Sequence, residues 1–393
     1  MGNPSQPFIV FGQPRLSEEE IQAVVDVLRS GWIGTGPKSK EFEKAFAEYQ
    51  GVSSAVGVSS CTSALTAALR AYGIGKGDEV ITTAMTFAAT VSSIVEAGAK
   101  PVLVDTEVSS RNIDVAAARA AITPRTKAII PVHFAGAPCD IDALLALRSE
   151  FGVKIIHDCA HAIETEWRGK RLSAYADATC FSFYSTKNIT SIEGGMICSQ
   201  DQLFVERARL ISNHGMSKDA WKRFSTSGYQ HYDVVAPGFK FNLTDVQSAL
   251  GLAQLRKIDA FSARRRELWD RYQAAFTGTA LILPADAGKP HRHALHLYSV
   301  LVDPAACGLS RDEMLTALQA RGIGCGVHYR AIPSLTHFRE TYGWKPENFP
   351  NAVYAGDRTL SIPLTPYLTD EEAGRVIAAV QEVLASAKSR AVA

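Results

Sequence analysis

The chain has almost no net charge to offer a partner. Its 393 residues carry 41 lysines and arginines against 40 aspartates and glutamates, a formal charge of +1. So even a balance gives no footing for holding nucleic acid or an acidic membrane by bulk attraction. Long apolar runs are missing too, and none reaches the roughly 18 to 20 residues that span a bilayer. The leading Met1-Gly2-Asn3-Pro4-Ser5-Gln6 is polar and lacks the apolar stretch of a secretory signal. Seven cysteines (Cys61, Cys139, Cys159, Cys180, Cys198, Cys307, Cys325) lie scattered, with no Cys-x-x-Cys pair. That pattern suits reduced thiols better than a disulfide framework. No sequence repeat and no low-complexity tract is present. These absences leave an ordinary globular chain, 46% hydrophobic and 21% charged. It is expected in the cytoplasm, without nucleic acid or membrane insertion, and is long enough for a large domain plus a smaller one.

Hydrophobic periodicity supplies the outline. Ser17 and Glu20 have capping-box spacing, and the helix after them is expected to bury Ile21, Val24, Val25 and Leu28 on one stripe. Gly31-Trp32-Ile33-Gly34-Thr35-Gly36-Pro37 breaks it, and a second amphipathic helix carries Phe42, Phe46 and Tyr49. Strand-like segments at 55–58, 79–82, 101–104, 128–132 and 154–157 then alternate with helical ones at 62–72, 87–96, 115–122 and 141–150. Alternation of this kind argues an α/β fold with a mostly parallel sheet covered on both faces. Residues 244–276 read as one long or bent helix crossing to a smaller C-terminal α+β unit. That unit holds a strand at 296–302, a helix at 310–320, a strand at 326–329 and a closing helix at 369–384. The expected division is 1–255 and 256–393.

One stretch stands out, Phe181-Ser182-Phe183-Tyr184-Ser185-Thr186-Lys187-Asn188-Ile189-Thr190-Ser191-Ile192-Glu193-Gly194-Gly195. It places a lysine in a polar turn between two apolar strands. Desolvation there would lower the amine pKa and make Lys187 a nucleophile toward a carbonyl; taken alone, it is equally a surface lysine in a loop. In parallel sheets ligands sit beyond the carboxyl ends of strands, and three more segments place groups there. Ser59-Ser60-Cys61-Thr62-Ser63 turns a strand into a helix through small hydroxyls, which is either a plain N-cap or an anion site. Asp158 follows the buried Ile155-Ile156-His157 and needs a cation or a cap, with His161 one turn on. Phe87 follows another strand, where a ring could plate a planar ligand or fill the core. Together the groups match pyridoxal 5′-phosphate (PLP), which requires a lysine for its aldehyde, an anion cradle, a carboxylate for its ring nitrogen and a plate for its face.

Several ordered motifs then resemble one family: Pro14-Arg15-Leu16-Ser17, Ser30-Gly31-Trp32, Gly75-Lys76-Gly77-Asp78-Glu79-Val80-Ile81, Pro131-Val132-His133-Phe134-Ala135-Gly136, the Asp158 and Lys187 segments, and Lys240-Phe241-Asn242-Leu243-Thr244-Asp245. The sequence is similar to the DegT/DnrJ/EryC1/StrS sugar aminotransferases over nearly its whole length. The resemblance implies the aspartate aminotransferase-like fold type I of PLP-dependent transferases, with a seven-stranded-type sheet between helices plus the C-terminal α+β domain. It implies that Lys187 holds the cofactor's aldehyde, Asp158 pairs with its ring nitrogen and His161 bonds its ring hydroxyl. Thr62, Ser63 and Ser182 would hold the phosphate, with Asn242 reaching in from the other subunit of a homodimer, and Phe87 would stack on the ring. His214, His328, Tyr329 and Arg330 are candidate substrate binders, or else surface polar residues. Glu193-Gly194-Gly195 resembles the members that aminate C4 of a nucleotide-linked keto sugar from glutamate, giving 2-oxoglutarate. The nearest pattern is that of the enzymes making UDP-4-amino-4-deoxy-L-arabinose, with pseudaminic-acid and perosamine 4-aminotransferases as rivals. The implied setting is envelope polysaccharide, lipopolysaccharide or amino-sugar synthesis. Alternatives are a 3-keto sugar aminotransferase, a sugar dehydratase on the same cofactor, whose relatives carry histidine in place of Lys187, and a non-catalytic regulator. A nicotinamide dehydrogenase is disfavoured because Gly73-Ile74-Gly75-Lys76-Gly77-Asp78 follows a helix and enters a strand, reversing the dinucleotide fingerprint. His291, His293 and His296 lack a matching carboxylate set and read as a solvated loop with no metal.

Overall fold

A computed structural model of the chain describes residues 7–216 and 232–392, leaving the leading polar segment outside the described residues. The expected capping box forms at Ser17 and Glu20 and opens α1 (Glu18–Ser30). α2 (Pro37–Gln50) follows, its first-turn N–H groups capped by the carboxylate of Asp245. The alternation then runs β1 (Ser54–Val58), α3 (Cys61–Ala71), β2 (Glu79–Thr83), α4 (Ala88–Glu96), β3 (Lys100–Val104), α5 (Val115–Ala120), β4 (Thr126–Ile130), α6 (Ile141–Phe151) and β5 (Lys154–Asp158). A small hairpin, β6 (Glu166–Trp167) and β7 (Lys170–Arg171), precedes β8 (Ala178–Ser182), β9 (Gly195–Ser199) and α7 (Gln202–Ser212).

Seven strands form one sheet in the order β1-β9-β8-β5-β4-β2-β3. β9 runs antiparallel to both neighbours, and the remaining pairs are parallel. Strands covered on both faces should be apolar throughout, and β2, β8 and β9 are buried at every residue. One apolar cluster, with Phe42, Phe46, Phe181 and Phe183, lies on one face, and another, with Leu65, Leu69, Ile130 and Ile197, on the other.

The 244–276 segment is two helices, α8 (Asp245–Arg256) and α9 (Ile258–Phe276), separated at Lys257. Leu252 and Leu255 pack with the sheet, whereas Leu268, Trp269 and Tyr272 belong to a separate apolar cluster. That cluster is built on β10 (Tyr298–Leu301), α10 (Pro304–Cys307), α11 (Arg311–Gln319), β11 (Thr359–Ile362) and α14 (Asp370–Val392), with β10 and β11 antiparallel, while α12 (Thr336–Tyr342) and α13 (Pro350–Arg358) bury Phe338, Ala352 and Ala355 in a further cluster with Met85, Phe134 and Leu301. Residues 326–329 are not a strand. Only Gly326 bridges to Ser361; beyond it His328 stays on β11 by bonding Ser361, while the Tyr329 hydroxyl reaches across to His161. The expected α1 stripe is met only in part, with Val24 and Val25 half-buried. The helix packs on α8 through Glu20 and Val27, with Glu20 bonded to Gln254, while Ile21 and Leu28 are exposed. No described helix is long and apolar enough to cross a membrane.

Candidate active site

β5 and β8 are parallel neighbours with Asp158 in register with Cys180, and their carboxyl ends bring Asp158 and, two residues beyond Cys180, Ser182 to the same edge of the sheet. The chain leaves β8, turns through Lys187 and returns in β9, so the lysine is held by a hairpin rooted in the middle of the sheet. Burial depresses the Lys187 amine to about 8, against a partial upward pull from Cys61 and Asp158. Its Nζ donates to no protein group among the described residues. Asp158 is buried, and desolvation raises its carboxyl above the ordinary range despite bonds from Thr90 Oγ1 (2.8 Å) and the Ala160 N–H (3.1 Å) and the nearby lysine charge. A carboxylate in that state gains from any further cation set against it.

Above these groups lies the N-terminus of α3. Ser60 and Ser63 close a reciprocal capping box, so the Ser63 hydroxyl is occupied by the Ser60 N–H (2.9 Å) and carbonyl (2.8 Å). Two donors stay open among the described residues, the N–H groups of Cys61 and Thr62, beside the half-buried Thr62 hydroxyl. Gly195 makes room for this turn, since a Cβ there would lie 2.5 Å from the Ser60 carbonyl carbon and 2.8 Å from the Cys61 nitrogen. The result is an anion cradle of free N–H groups at the positive end of a helix.

His161 accepts the Ala135 N–H at Nδ1 (3.2 Å) and meets the Tyr329 hydroxyl at Nε2 (2.9 Å). Burial and the Lys187 charge hold its pKa well below the usual histidine range, so it is neutral with its proton on Nε2. Tyr329 thereby accepts from His161 and keeps its own proton to give away, and burial pushes its phenol pKa up. His328 bonds Ser361 at 3.0 Å and is lowered to about 4 by burial. Phe87 caps the start of α4 with an exposed ring 5.6 Å from that of Tyr329.

Other predicted residues are placed differently. Asn242 donates to Thr35 Oγ1 at 2.6 Å, at the turn before α2. His214 is exposed at a positive-φ turn and Arg330 is exposed, bonded to the Ser334 carbonyl; neither contacts the Lys187 group. His293 and His296 are buried, contrary to the solvated loop expected of them. His296 donates from Nδ1 to Asn188 (2.8 Å), whose amide donates to both oxygens of the buried Glu164 (2.9 and 2.8 Å), and the His296 ring lies tilted against that of His161 at 4.4 Å. This second tier, reaching from the residue next to Lys187 to the ring that orients Tyr329, was missed in the sequence. Glu164, a charge inside Ala162-Ile163-Glu164-Thr165, was its readable signal. His133, His157 and Cys159 also bring donor atoms within 4.8 Å of one another, a grouping not anticipated where no metal set was read.

A lysine, a buried carboxylate and an anion cradle around one cleft are the parts a phosphate-bearing aldehyde cofactor requires. The model of the DegT/DnrJ/EryC1/StrS aminotransferases matches residues 14–381. The chain belongs to that family. It is 43% identical to the spore coat polysaccharide biosynthesis protein SpsC of Bacillus subtilis over 381 residues, covering 97% of this chain and 98% of that one. A candidate sugar aminotransferase of Streptococcus pneumoniae, solved in its PLP form, superposes with a TM-score of 0.89 at 34% identity, covering 97% and 99% of the two chains. PseC of Helicobacter pylori, an aminotransferase of pseudaminic acid biosynthesis, gives 0.89 at 29% identity, covering 97% and 100%. The seven-stranded α/β architecture is thus that of the PLP aminotransferases.

Proposed function

We propose that the chain is a PLP-dependent aminotransferase that moves the amino group of glutamate onto the C4 keto carbon of a nucleotide-linked sugar, with UDP as the favoured nucleotide. Its place would be the cytoplasmic synthesis of envelope polysaccharide, lipopolysaccharide or another amino-sugar product. The observation that carries this is the meeting of a desolvated, unpartnered lysine with a buried carboxylate beneath an open helix N-terminus. Support for a sugar comes from the polysaccharide and pseudaminic-acid roles of the relatives, and support for C4 from the Glu193-Gly194-Gly195 pattern.

The residues present fit the cofactor. Cys61 and Thr62 N–H groups, the Thr62 hydroxyl and Ser182 would hold its phosphate, Lys187 its aldehyde, Asp158 its ring nitrogen, and Phe87 one ring face. Ser63 would serve by shaping the turn, its hydroxyl being used in the cap. Once bound, the cofactor supplies an electron sink for breaking a C–H bond next to nitrogen. Asp158 keeps the ring nitrogen protonated. Lys187 Nζ moves the proton at Cα of glutamate in one half of the reaction and at C4 of the sugar in the other. His161 and Tyr329 act as a pair, the imidazole fixing the phenol so that its proton points to the cleft. We also propose division at 255/256, beside the Lys257 break, and a two-fold dimer in which Asn242 completes the partner's site. Turnover with glutamate and matched panels of 4-keto and 3-keto nucleotide sugars tests the reading. The 4-keto set should be aminated, and exclusive use of the 3-keto set would overturn the C4 assignment.

A further inference from the structure

A second cleft, about 160 Å³, opens where the large domain meets the connection to the small one. Arg111, Phe134, Pro138, Trp167, Pro284 and His293 line it, and none of Lys187, Asp158, His161 or Tyr329 does. The Arg111 side chain is buried but has no carboxylate partner among the described residues. Its Nη1 donates to the Ser299 carbonyl (2.9 Å) and meets the Ser299 hydroxyl (3.2 Å), and its guanidinium lies 5.0 Å over the Phe134 ring. Nε is buried without a partner, and Nη2 makes no hydrogen bond to protein among the described residues. Those two nitrogens form one edge of the guanidinium, the fork that grips a carboxylate with two parallel bonds.

His293 supplies a third donor. It is buried, accepts the Leu295 N–H at Nδ1 (2.9 Å), and therefore carries its proton on Nε2, which no protein group among the described residues accepts. Burial lowers its pKa to about 3, so it stays a neutral donor across the working range. The carboxylate at the rim, Asp286, is engaged by Arg266 at 2.6 Å. The Trp167 N–H is likewise taken, by Asp142 at 3.3 Å. A buried guanidinium without a counter-charge is costly, and the two side chains left open beside Phe134, Arg111 and His293, both offer donors.

We propose that this cleft is a binding site for a small organic carboxylate, its head held by the Arg111 fork and His293 Nε2 and its short apolar chain against Phe134, Pro138 and Pro284. Apolar walls favour an organic acid over a bare inorganic anion. Ala135 lines the cleft while its N–H bonds His161, so the site lies one peptide segment from the His161–Tyr329 pair.

The test is thermal unfolding of the protein as purified, in chloride, propanoate and inorganic phosphate at matched ionic strength. Propanoate should raise Tm beyond chloride in the parent protein, and Arg111→Met should abolish the rise. Without added acid, Arg111→Met should unfold no lower than the parent, because it removes a buried unpaired charge. Arg111→Lys, which keeps the charge and loses the fork, is the second variant and should weaken propanoate binding on the order of tenfold or more. A rise of equal size in parent and Arg111→Lys would overturn the proposal. So would no rise beyond chloride, or a larger Arg111-dependent rise with phosphate than with propanoate.

Discussion

Lys187 owes its chemistry to its surroundings: a lysine in water loses its proton only near pH 10.5, and burial here brings the amine down to about 8. Only the neutral amine attacks an aldehyde. Protein stripped of PLP should therefore recapture it at a rate that rises with pH and levels off near pH 8 to 9, followed by absorbance. A rate still climbing steeply at pH 10 would mean the lysine is solvated. Lys187, Asp158 and Phe87 could be singled out because each breaks a local pattern, a cation between apolar strands, an anion at a strand end and a ring after a turn. Thr90, His296 and Glu164 were not placed, because the bonds that give them meaning cross from one element to another. Thr90 lies 68 residues from Asp158, and Asn188 lies 24 from Glu164 and 108 from His296.

At the scale of elements, the first half of the chain was readable because buried parallel strands and amphipathic helices have distinct periods. The helix boundary at Lys257 was not, since Lys257 keeps helical dihedrals and the apolar pattern runs through it. The 326–329 segment misled for a related reason: Gly326-Val327-His328-Tyr329 has strand composition, but only Gly326 bridges to Ser361, and Tyr329 is turned to His161 instead of a ladder. Gly194 and Gly195 look alike in sequence and differ in place. A Cβ at Gly195 would strike the backbone opening α3, whereas one at Gly194 would first meet the movable Ser191 hydroxyl at 2.2 Å. Gly195→Ala should cost about 1–3 kcal/mol of stability and raise the PLP concentration needed for half-saturation; Gly194→Ala should do less. Equal PLP affinity in Gly195→Ala and the parent would show that α3 does not form the phosphate cradle.

For the whole molecule, the sequence foretold a helix whose apolar stripe would be inward, and the isolated chain leaves part of it outside. Ile21, Leu28, Trp32 and Ile33 are all exposed, close along the chain to Thr35, which holds Asn242. A pattern of apolar residues cannot say whether its cover is the same chain or a second copy. A shared-site dimer predicts that mixing Lys187→Ala with Asn242→Ala, each poorly active alone at limiting PLP, restores activity toward about half of normal per dimer. No recovery among confirmed heterodimers would place Asn242 outside the partner's site. The central claim, amino transfer at Lys187, is tested most directly with ¹⁵N-glutamate and a UDP-4-keto sugar, following the label by NMR in the parent protein and in Lys187→Ala reconstituted with PLP. The account predicts ¹⁵N bonded at C4 of the sugar with the parent and no labelled sugar with Lys187→Ala; labelled sugar formed at the parent rate by Lys187→Ala would contradict it.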